Sequence, residues 1–299
     1  MTTHKNKARQ LVSFDWAIKR LLRSKANYEV IEGFLSELLM RPIKITGIME
    51  SESNKESATD KSNKVDVKVE DDKGEIILIE IQFILQIDYF QRMLYGVSNT
   101  IKEQMIQGDQ YMKIRKVYSI NIVYFDLGQR KDYIYCGQTT FKGLHKKDIL
   151  KLADDQKKMF NKIKAGDLFP EYYVLKINKF DDVAKDTLDE WIYFLKHDRI
   201  EDGFKAKGLL KAREVLDYNR LTPEQKAEYD RDQMAKSDRL SEIASGLQAV
   251  ETKVEMKYAK KIEKQSEKLK EKDKTIKEKD KTIEEKDKEI AELNRRLNI

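Results

Sequence analysis

The chain has 299 residues, of which 40% are hydrophobic and 37% charged, and it carries a formal net charge of +6. That length gives room for one large domain and an appendage. The charged share is far above the usual quarter or so, and the positive balance permits a polyanionic partner without requiring one. A single cysteine, Cys136, excludes an internal disulfide and a cysteine-based zinc site. His4, His145 and His197 show no metal-ligand spacing and read as surface residues. No run approaches the ~20 apolar residues of a membrane span. The polar amino terminus lacks the apolar segment of a secretory signal. The expectation is a soluble, cytoplasmic protein with no membrane partner.

Residues 1–12 read as a basic arm. Ser13 is placed to cap a helix through Phe14, Trp16, Ile18, Leu21 and Leu22. Asp15 and Lys19 are four apart on it and share a face, as in a surface ion pair. Asn27 is placed to cap a second helix with Ile31, Phe34, Leu35 and Leu38 as its buried stripe, and Pro42 to stop it. Glu29, Glu32 and Glu37 lie on that helix. Residues 43–50 alternate as a strand, and the polar stretch 51–63 reads as a loop.

Residues 64–83 are the most informative stretch. Lys-Val-Asp-Val-Lys-Val-Glu alternates as a strand with one buried face, and Glu-Ile-Ile-Leu-Ile-Glu-Ile-Gln-Phe reads as a more central strand. Side chains alternate faces along a strand. A two-residue turn at Asp72 and Lys73 sets Asp66 opposite Ile79, mixing charge with aliphatic core. A three-residue loop including Gly74 sets Val67 opposite Ile79 and Asp66 opposite Glu80. Only the second register keeps valines with isoleucines, so it brings two carboxylates onto one face with Gln82 beside them. Carboxylates that close repel unless a cation lies between them, and oxygen ligands favour Mg²⁺ or Mn²⁺. An exposed sheet face with scattered charges gives the same spacing.

Residues 86–107 read as a helix with Phe90, Met93, Leu94, Val97, Ile101 and Met105 on its core side, and with Arg92, Tyr95 and Asn99 on neighbouring faces. Arg92 suits either a bidentate phosphate contact or a structural salt bridge. Strands are expected at 117–127, 133–141 and 172–177, with a helix over 146–162. From Asp181 the strands cease. Asp181 and Asp182 open a helix carrying Leu188, Trp191, Ile192 and Leu195, and another carries Leu209, Leu210, Val215 and Leu216. Thr222-Pro223-Glu224-Gln225 is a helix start with a capping box. After it, Ile262, Leu269, Ile276, Ile283, Ile290 and Leu297 recur every seven residues. That is one apolar seam of a coiled coil, thinner than paired a and d positions; a single solvated helix is the alternative.

Asp66, thirteen intervening residues and then Glu80-Ile81-Gln82 resembles the core of the PD-(D/E)XK nucleases, and the Gln in final place is similar to the PD-(D/E)XK family transposases. Phe14-Asp15 and Lys19 before it, and Arg92 and Tyr95 after it, extend the resemblance over residues 13–180. Val65 stands where the family has Pro, and Gln82 where it has the Lys held to orient the attacking water. The resemblance implies an α/β, restriction-endonuclease-like mixed sheet flanked by helices, here followed by the long C-terminal helix or coiled coil. The expected parts are the arm 1–12, a nuclease-like domain 13–180, a helical extension 181–221 and the long helix 222–299. It implies a Mg²⁺-dependent (or Mn²⁺-dependent) DNA endonuclease of low sequence specificity, leaving 3′-hydroxyl and 5′-phosphate ends and linked to recombination or mobile DNA. Asp66, Glu80 and the Ile81 carbonyl then hold the metal, Gln82 positions water, and Asp15, Lys19, Arg92 and Tyr95 support the site or bind phosphate. An early helical acid, one of Glu29, Glu32 and Glu37, approaches the metal in many of these enzymes. The alternative is a degraded nuclease fold that binds nucleic acid or protein. In either case the long helix points to a homodimer as the simplest way to cover its seam, with the single solvated helix as the alternative.

Overall fold

The computed structural model describes residues 11–20, 24–49 and 66–297. The expectations for residues 1–10, for Leu21 and Leu22, for the loop 51–63 and for Val65 lie outside these residues. In chain order the elements are α1 (Phe14–Arg20), α2 (Tyr28–Leu38), β1 (Ile45–Met49), β2 (Val67–Asp71), β3 (Ile76–Gln82), α3 (Tyr89–Lys102), β4 (Val117–Val123), β5 (Ile134–Gly137), α4 (Asp154–Phe160), β6 (Glu171–Lys176), α5 (Thr187–His197), α6 (Leu209–Val215) and α7 (Pro223–Leu297). The six strands form one mixed sheet in the order β1-β2-β3-β4-β6-β5. The β3–β4 and β4–β6 pairs are parallel, and the other pairs antiparallel. Joining parallel β3 and β4 requires a crossover, and α3 is that crossover.

The hairpin has the register that parity predicts. Val67 pairs with Ile79 and Val69 with Ile77, and the loop is Asp72-Lys73-Gly74 with Gly74 at φ +70°, a value glycine adopts without a Cβ clash. Val67, Val69, Ile77, Ile79 and Ile81 join the main core. Ile76 and Leu78 point the other way, onto Val97 of α3 and Val117. The strand β3 is thus buried on both faces, which explains its nearly unbroken apolar sequence. The main core is clasped by Phe14, Phe34, Trp191 and Phe194, whose rings meet edge-on or tilted at 5.5–6.2 Å. These rings tie α1 and α2 to α5. Leu209 and Ala212 of α6 lie in the same cluster, so the helices after the sheet belong to its core.

Several boundaries differ from the sequence reading. Leu11 and Val12, expected in the arm, are buried, and the N–H of Val12 donates to the Leu216 carbonyl at 2.8 Å. Helix α2 ends at Leu38 and the chain turns at Met40, φ +52°, ahead of Pro42. Asn27 holds the N-cap position of α2 without a side-chain cap bond. Helix α3 is shorter than 86–107 and rotated. Its buried residues are Tyr89, Met93, Gly96, Val97 and Thr100, whereas Phe90 and Leu94 are 52% and 59% exposed. The helix expected over 146–162 is reduced to α4, because the chain turns at Lys147 (φ +60°) between the bridged residues Lys142 and Ile149. Helix α5 is capped by Asp186, which accepts from the Asp189 N–H. Asp182 instead turns at φ +64° and pairs with Lys196 and His197 in the last turn of α5.

The chain divides into two units after Asp232. In the first, α7 begins with the expected capping box: Thr222 Oγ1 accepts from the Gln225 N–H at 3.3 Å, and Gln225 Oε1 from the Thr222 N–H at 3.0 Å. Tyr229 packs edge-on against Trp16, and Arg20 pairs with Glu228. The second unit, Gln233–Ile299, is helical as far as described, and its seam residues Ile262, Leu269, Ile276, Ile283 and Ile290 are 54–64% exposed.

The backbone entering α6 passes close against α2 at Gly33. A Cβ on Gly33 would stand 2.2 Å from the Lys207 carbonyl oxygen and 2.6 Å from Gly208 Cα, atoms that cannot step aside. Gly33→Ala is therefore expected to cost about 3 kcal/mol of stability, read by urea unfolding followed by circular dichroism. A loss under ~0.5 kcal/mol would mean that α6 is not packed here.

Candidate active site

The α3 face of the sheet carries the polar residues that the parity argument placed together. On β3 the side chains alternate, so Glu80 and Gln82 share the face of Ile76 and Leu78. Asp66 stands one residue before the first paired residue of β2, opposite Glu80 in the continued register. Its Oδ2 accepts the Ile81 N–H at 2.7 Å, and its Oδ1 lies 3.0 Å from Lys19 Nζ. Lys19 reaches it from the last turn of α1, which Phe14, Trp16 and Ile18 anchor in the core.

Glu80 is only 6% exposed and forms an ion pair with Arg92 Nη2 from α3. Its Oε1 nonetheless accepts no well-directed hydrogen bond, and the Arg92 Nε is also shut in without an acceptor. Arg92 Nη1 donates to Gln86 Oε1 at 3.2 Å. Burial holds the Glu80 carboxyl above the usual range; Arg92 opposes this, the charge of Asp66 adds to it, and Lys19 opposes it weakly. Lys19, Asp66, Glu80 and Arg92 are thus one electrostatic cluster. Gln82 donates its side-chain N–H to the Ile84 carbonyl at 3.2 Å.

The remaining predicted residues are dispersed. Asp15 is buried on α1, one turn before Lys19. It lies near the Tyr124 phenol, which burial, then the charges of Asp198 and Asp15, push well above its usual pKa. Tyr95 is exposed on α3, about one turn beyond Arg92. Of the early acids, Glu32 accepts from the Ile45 N–H and Lys44, and Glu37 accepts from Thr187 and the Lys207 N–H. Both are committed to joining elements of the fold.

Two buried residues escaped the sequence reading. Asn121 of β4 is the register partner of Glu80; its Oδ1 accepts from the Tyr89 hydroxyl at 3.3 Å and its Nδ2 donates to Ser119 Oγ at 2.9 Å. The Tyr89 phenol is raised far above its usual pKa by burial and then by the charge of Glu80. The signal was present: Ser119 and Asn121 are polar residues two apart in the otherwise apolar strand 117–123.

Asp66 and Glu80 fit a divalent cation. Both offer hard oxygen donors, and the buried Glu80 Oε1 already faces a cation, the Arg92 guanidinium. Among the described residues no three His, Cys, Asp or Glu side chains gather to hold a metal. A two-carboxylate set suits Mg²⁺, which keeps several waters, and not a closed zinc site.

The comparison with known families decides the relationship. A model of the PD-(D/E)XK nuclease family transposases matches residues 12–246. The chain belongs to that family. The match runs beyond the sequence-based span of 13–180 and takes in α5, α6 and the first turns of α7. No curated protein and no solved structure matches the chain. Membership supports a function of the nuclease and transposase type. PD-(D/E)XK nucleases generally use divalent metal ions, and the family implies DNA binding. Among the described residues no helix is long and apolar enough to cross a membrane.

The raised pKa of Glu80 has a signed consequence. Ionised Glu80 is less favourable in the fold than in the unfolded chain. The resulting destabilisation is fully present above the folded pKa and vanishes below the unfolded value of about 4.3. Glu80→Gln mimics the protonated form, so it is expected to melt higher than the parent protein at pH 8 in metal-free buffer and to lose that advantage near pH 4. A lower melting temperature at pH 8 would show that the Arg92 pair outweighs the burial.

Proposed function

We propose that the chain is a divalent-metal-dependent DNA endonuclease of the transposase type, hydrolysing phosphodiester bonds with low sequence specificity in the recombination or movement of DNA. The observation that carries this reading is the buried Glu80 held beside Asp66 by the β2–β3 register. Those two carboxylates, with the Ile81 carbonyl and water, are the ligands for Mg²⁺ or Mn²⁺. When bound, the ion supplies an acidified water and neutralises charge on the scissile phosphate. Among the described residues, Arg92 and Lys19 pair with the carboxylates, and both can meet phosphate oxygens once the ligands turn to a metal. Tyr95, exposed beyond Arg92, lies where a backbone would pass along α3. Gln82 lines the site beside Glu80 in the water-positioning place; one of its two amide N–H groups goes to the Ile84 carbonyl, and the amide has a second to offer a water. Low specificity follows from contacts to backbone phosphates rather than base edges. A cytoplasmic setting suits the one free thiol, Cys136.

A second reading has an observation of its own. Lys19 and Arg92 already neutralise both carboxylates, as in a fold that binds nucleic acid or protein without cutting. A plasmid-nicking assay separates the two. Cleavage is expected with Mg²⁺ or Mn²⁺, absent with EDTA, and at least ~100-fold slower in Asp66→Asn and Glu80→Gln. Metal binding with no cleavage by the parent protein would favour the binding module.

The assembled form is proposed to be a homodimer through the second unit. The seam of Ile276, Ile283 and Ile290 is half-exposed on a helix with no partner among the described residues, and a second copy offers a matching stripe. In sedimentation at micromolar concentration, the full chain is expected to run as a dimer and a chain ending at Asp232 as a monomer. A monomeric full chain at physiological salt would leave α7 as a single solvated helix.

A further inference from the structure

The row of the sheet that holds Glu80 continues past the site. Glu80 pairs with Asn121 of β4, Asn121 with Val174 of β6, and Val174 with Tyr135 of β5. Register partners share a face, so Val174 and Tyr135 lie on the face of Glu80, two and three strands away. At ~4.8 Å between strands, that is about 10 and 14 Å. There the sheet and α3 leave a cavity of about 400 Å³. Aromatic rings make up much of its wall: Phe90 of α3, Tyr135 of β5 and Tyr172 of β6. Among the described residues that line it, no side chain is charged. The Tyr135 hydroxyl is buried there and finds no hydrogen-bond partner among the described residues. An aliphatic occupant would leave that phenol unsatisfied. A planar group with hydrogen-bonding atoms on its edge would satisfy it and stack on the rings. The loop after β4 passes Phe90: a Cβ on Gly128 would stand 3.8 Å from its ring, and the exposed Arg130 and Lys131 follow in that loop.

Resting on the nuclease reading above, we infer that this cavity takes an unpaired nucleobase of the DNA strand bound at Asp66 and Glu80. A base carries both features that the cavity demands. Its π face stacks on Phe90, Tyr135 or Tyr172, and its edge offers the nitrogen and oxygen atoms that the Tyr135 hydroxyl lacks. The separation from Glu80 agrees. About 10 Å is roughly three steps of a stacked strand at ~3.4 Å each, so the base belongs to the scissile nucleotide or a near neighbour. Arg130 and Lys131 offer cations to the phosphates beside it. A base inside a duplex must leave the stack to enter, and leaves most readily where it is mismatched or unpaired. The cavity therefore selects a DNA structure rather than a sequence: a duplex with an unpaired base near the bond to be cut. Stacking accepts every base, so this selection is compatible with low sequence specificity.

The test uses the full chain with Ca²⁺ in place of Mg²⁺ and measures binding to short labelled duplexes. One is fully paired, one has a single bulged thymine, and one has an abasic residue at the bulge. The parent protein is expected to bind the thymine bulge at least ~10-fold more tightly than the other two. Two variants close the cavity or strip it. Gly137 is the register partner of Tyr172, and a Cβ on it would meet Tyr172 at no less than 3.6 Å, an ordinary contact. Gly137→Leu therefore fills the space without breaking the sheet. Phe90→Ala removes a ring that is already 52% exposed. Each is expected to bring the thymine bulge within about twofold of the paired duplex, with the melting temperature and the paired-duplex affinity unchanged. In the parent, a 5-iodouracil placed at the bulge is expected to photocrosslink to Phe90, Tyr135 or Tyr172. Equal binding of all three probes would overturn the inference, as would an abasic bulge bound as tightly as thymine. So would a preference that survives in folded Phe90→Ala and Gly137→Leu, or a crosslink outside the cavity. Cutting in Mg²⁺ without any preference for the bulge refutes this inference alone. Preference without cutting keeps the cavity and removes the nuclease reading, and a parent protein that neither binds nor cuts these probes removes both.

Discussion

Two like charges held together on two inner strands of a hydrophobic sheet form the constraint on which this structure turns. Glu80 is placed by β3, a strand buried on both faces, and cannot move to solvent without breaking the aliphatic register of Ile77, Ile79 and Ile81. Asp66 is placed by the same register and by the N–H of Ile81. Their repulsion and the burial of Glu80 must be offset by cations. The chain supplies Lys19 from α1 and Arg92 from α3, one from each side of the hairpin. The position of both helices is thus coupled to the charge of the site, and a bound divalent ion would take over work that these two side chains perform.

Much of this was legible in the sequence because strand parity leaves little freedom. Valines and isoleucines admit one register for residues 64–83, and that register sets Asp66 against Glu80. Helix α3 was harder. Phe90 and Leu94 are more apolar than Tyr89, Gly96 and Thr100, so a hydrophobic stripe draws the wrong residues inward. The structure buries Tyr89 because its hydroxyl finds Asn121, a long-range contact that periodicity cannot see. Asp181 and Asp182 likewise have the composition of a helix start. The Asp181 carboxylate accepts from the Val183 N–H, a local turn that competes with the helix, and the cap passes to Asp186. The contact between Lys19 and Asp66 joins residues 47 apart in sequence and needed the fold to appear.

The helices after the sheet bear on how the site is held. Trp191 and Phe194 of α5 close the aromatic group around Phe14, and Tyr229 of α7 covers Trp16. Both rings lie on the helix that carries Lys19. The family match, through residue 246, takes in α5, α6 and the start of α7 as well as α1 and the hairpin. The repeats beyond Asp232 face a different task, since their apolar stripe has no role in the core.

Asp66 and Glu80 are proposed to share one cation. Anomalous diffraction from crystals soaked in Mn²⁺ tests it most directly. One peak is expected within about 2.0–2.4 Å of a carboxylate oxygen from each residue, with Lys19 and Arg92 displaced from their present contacts. A Mn²⁺ peak elsewhere, or none while both ion pairs stay intact, would contradict it.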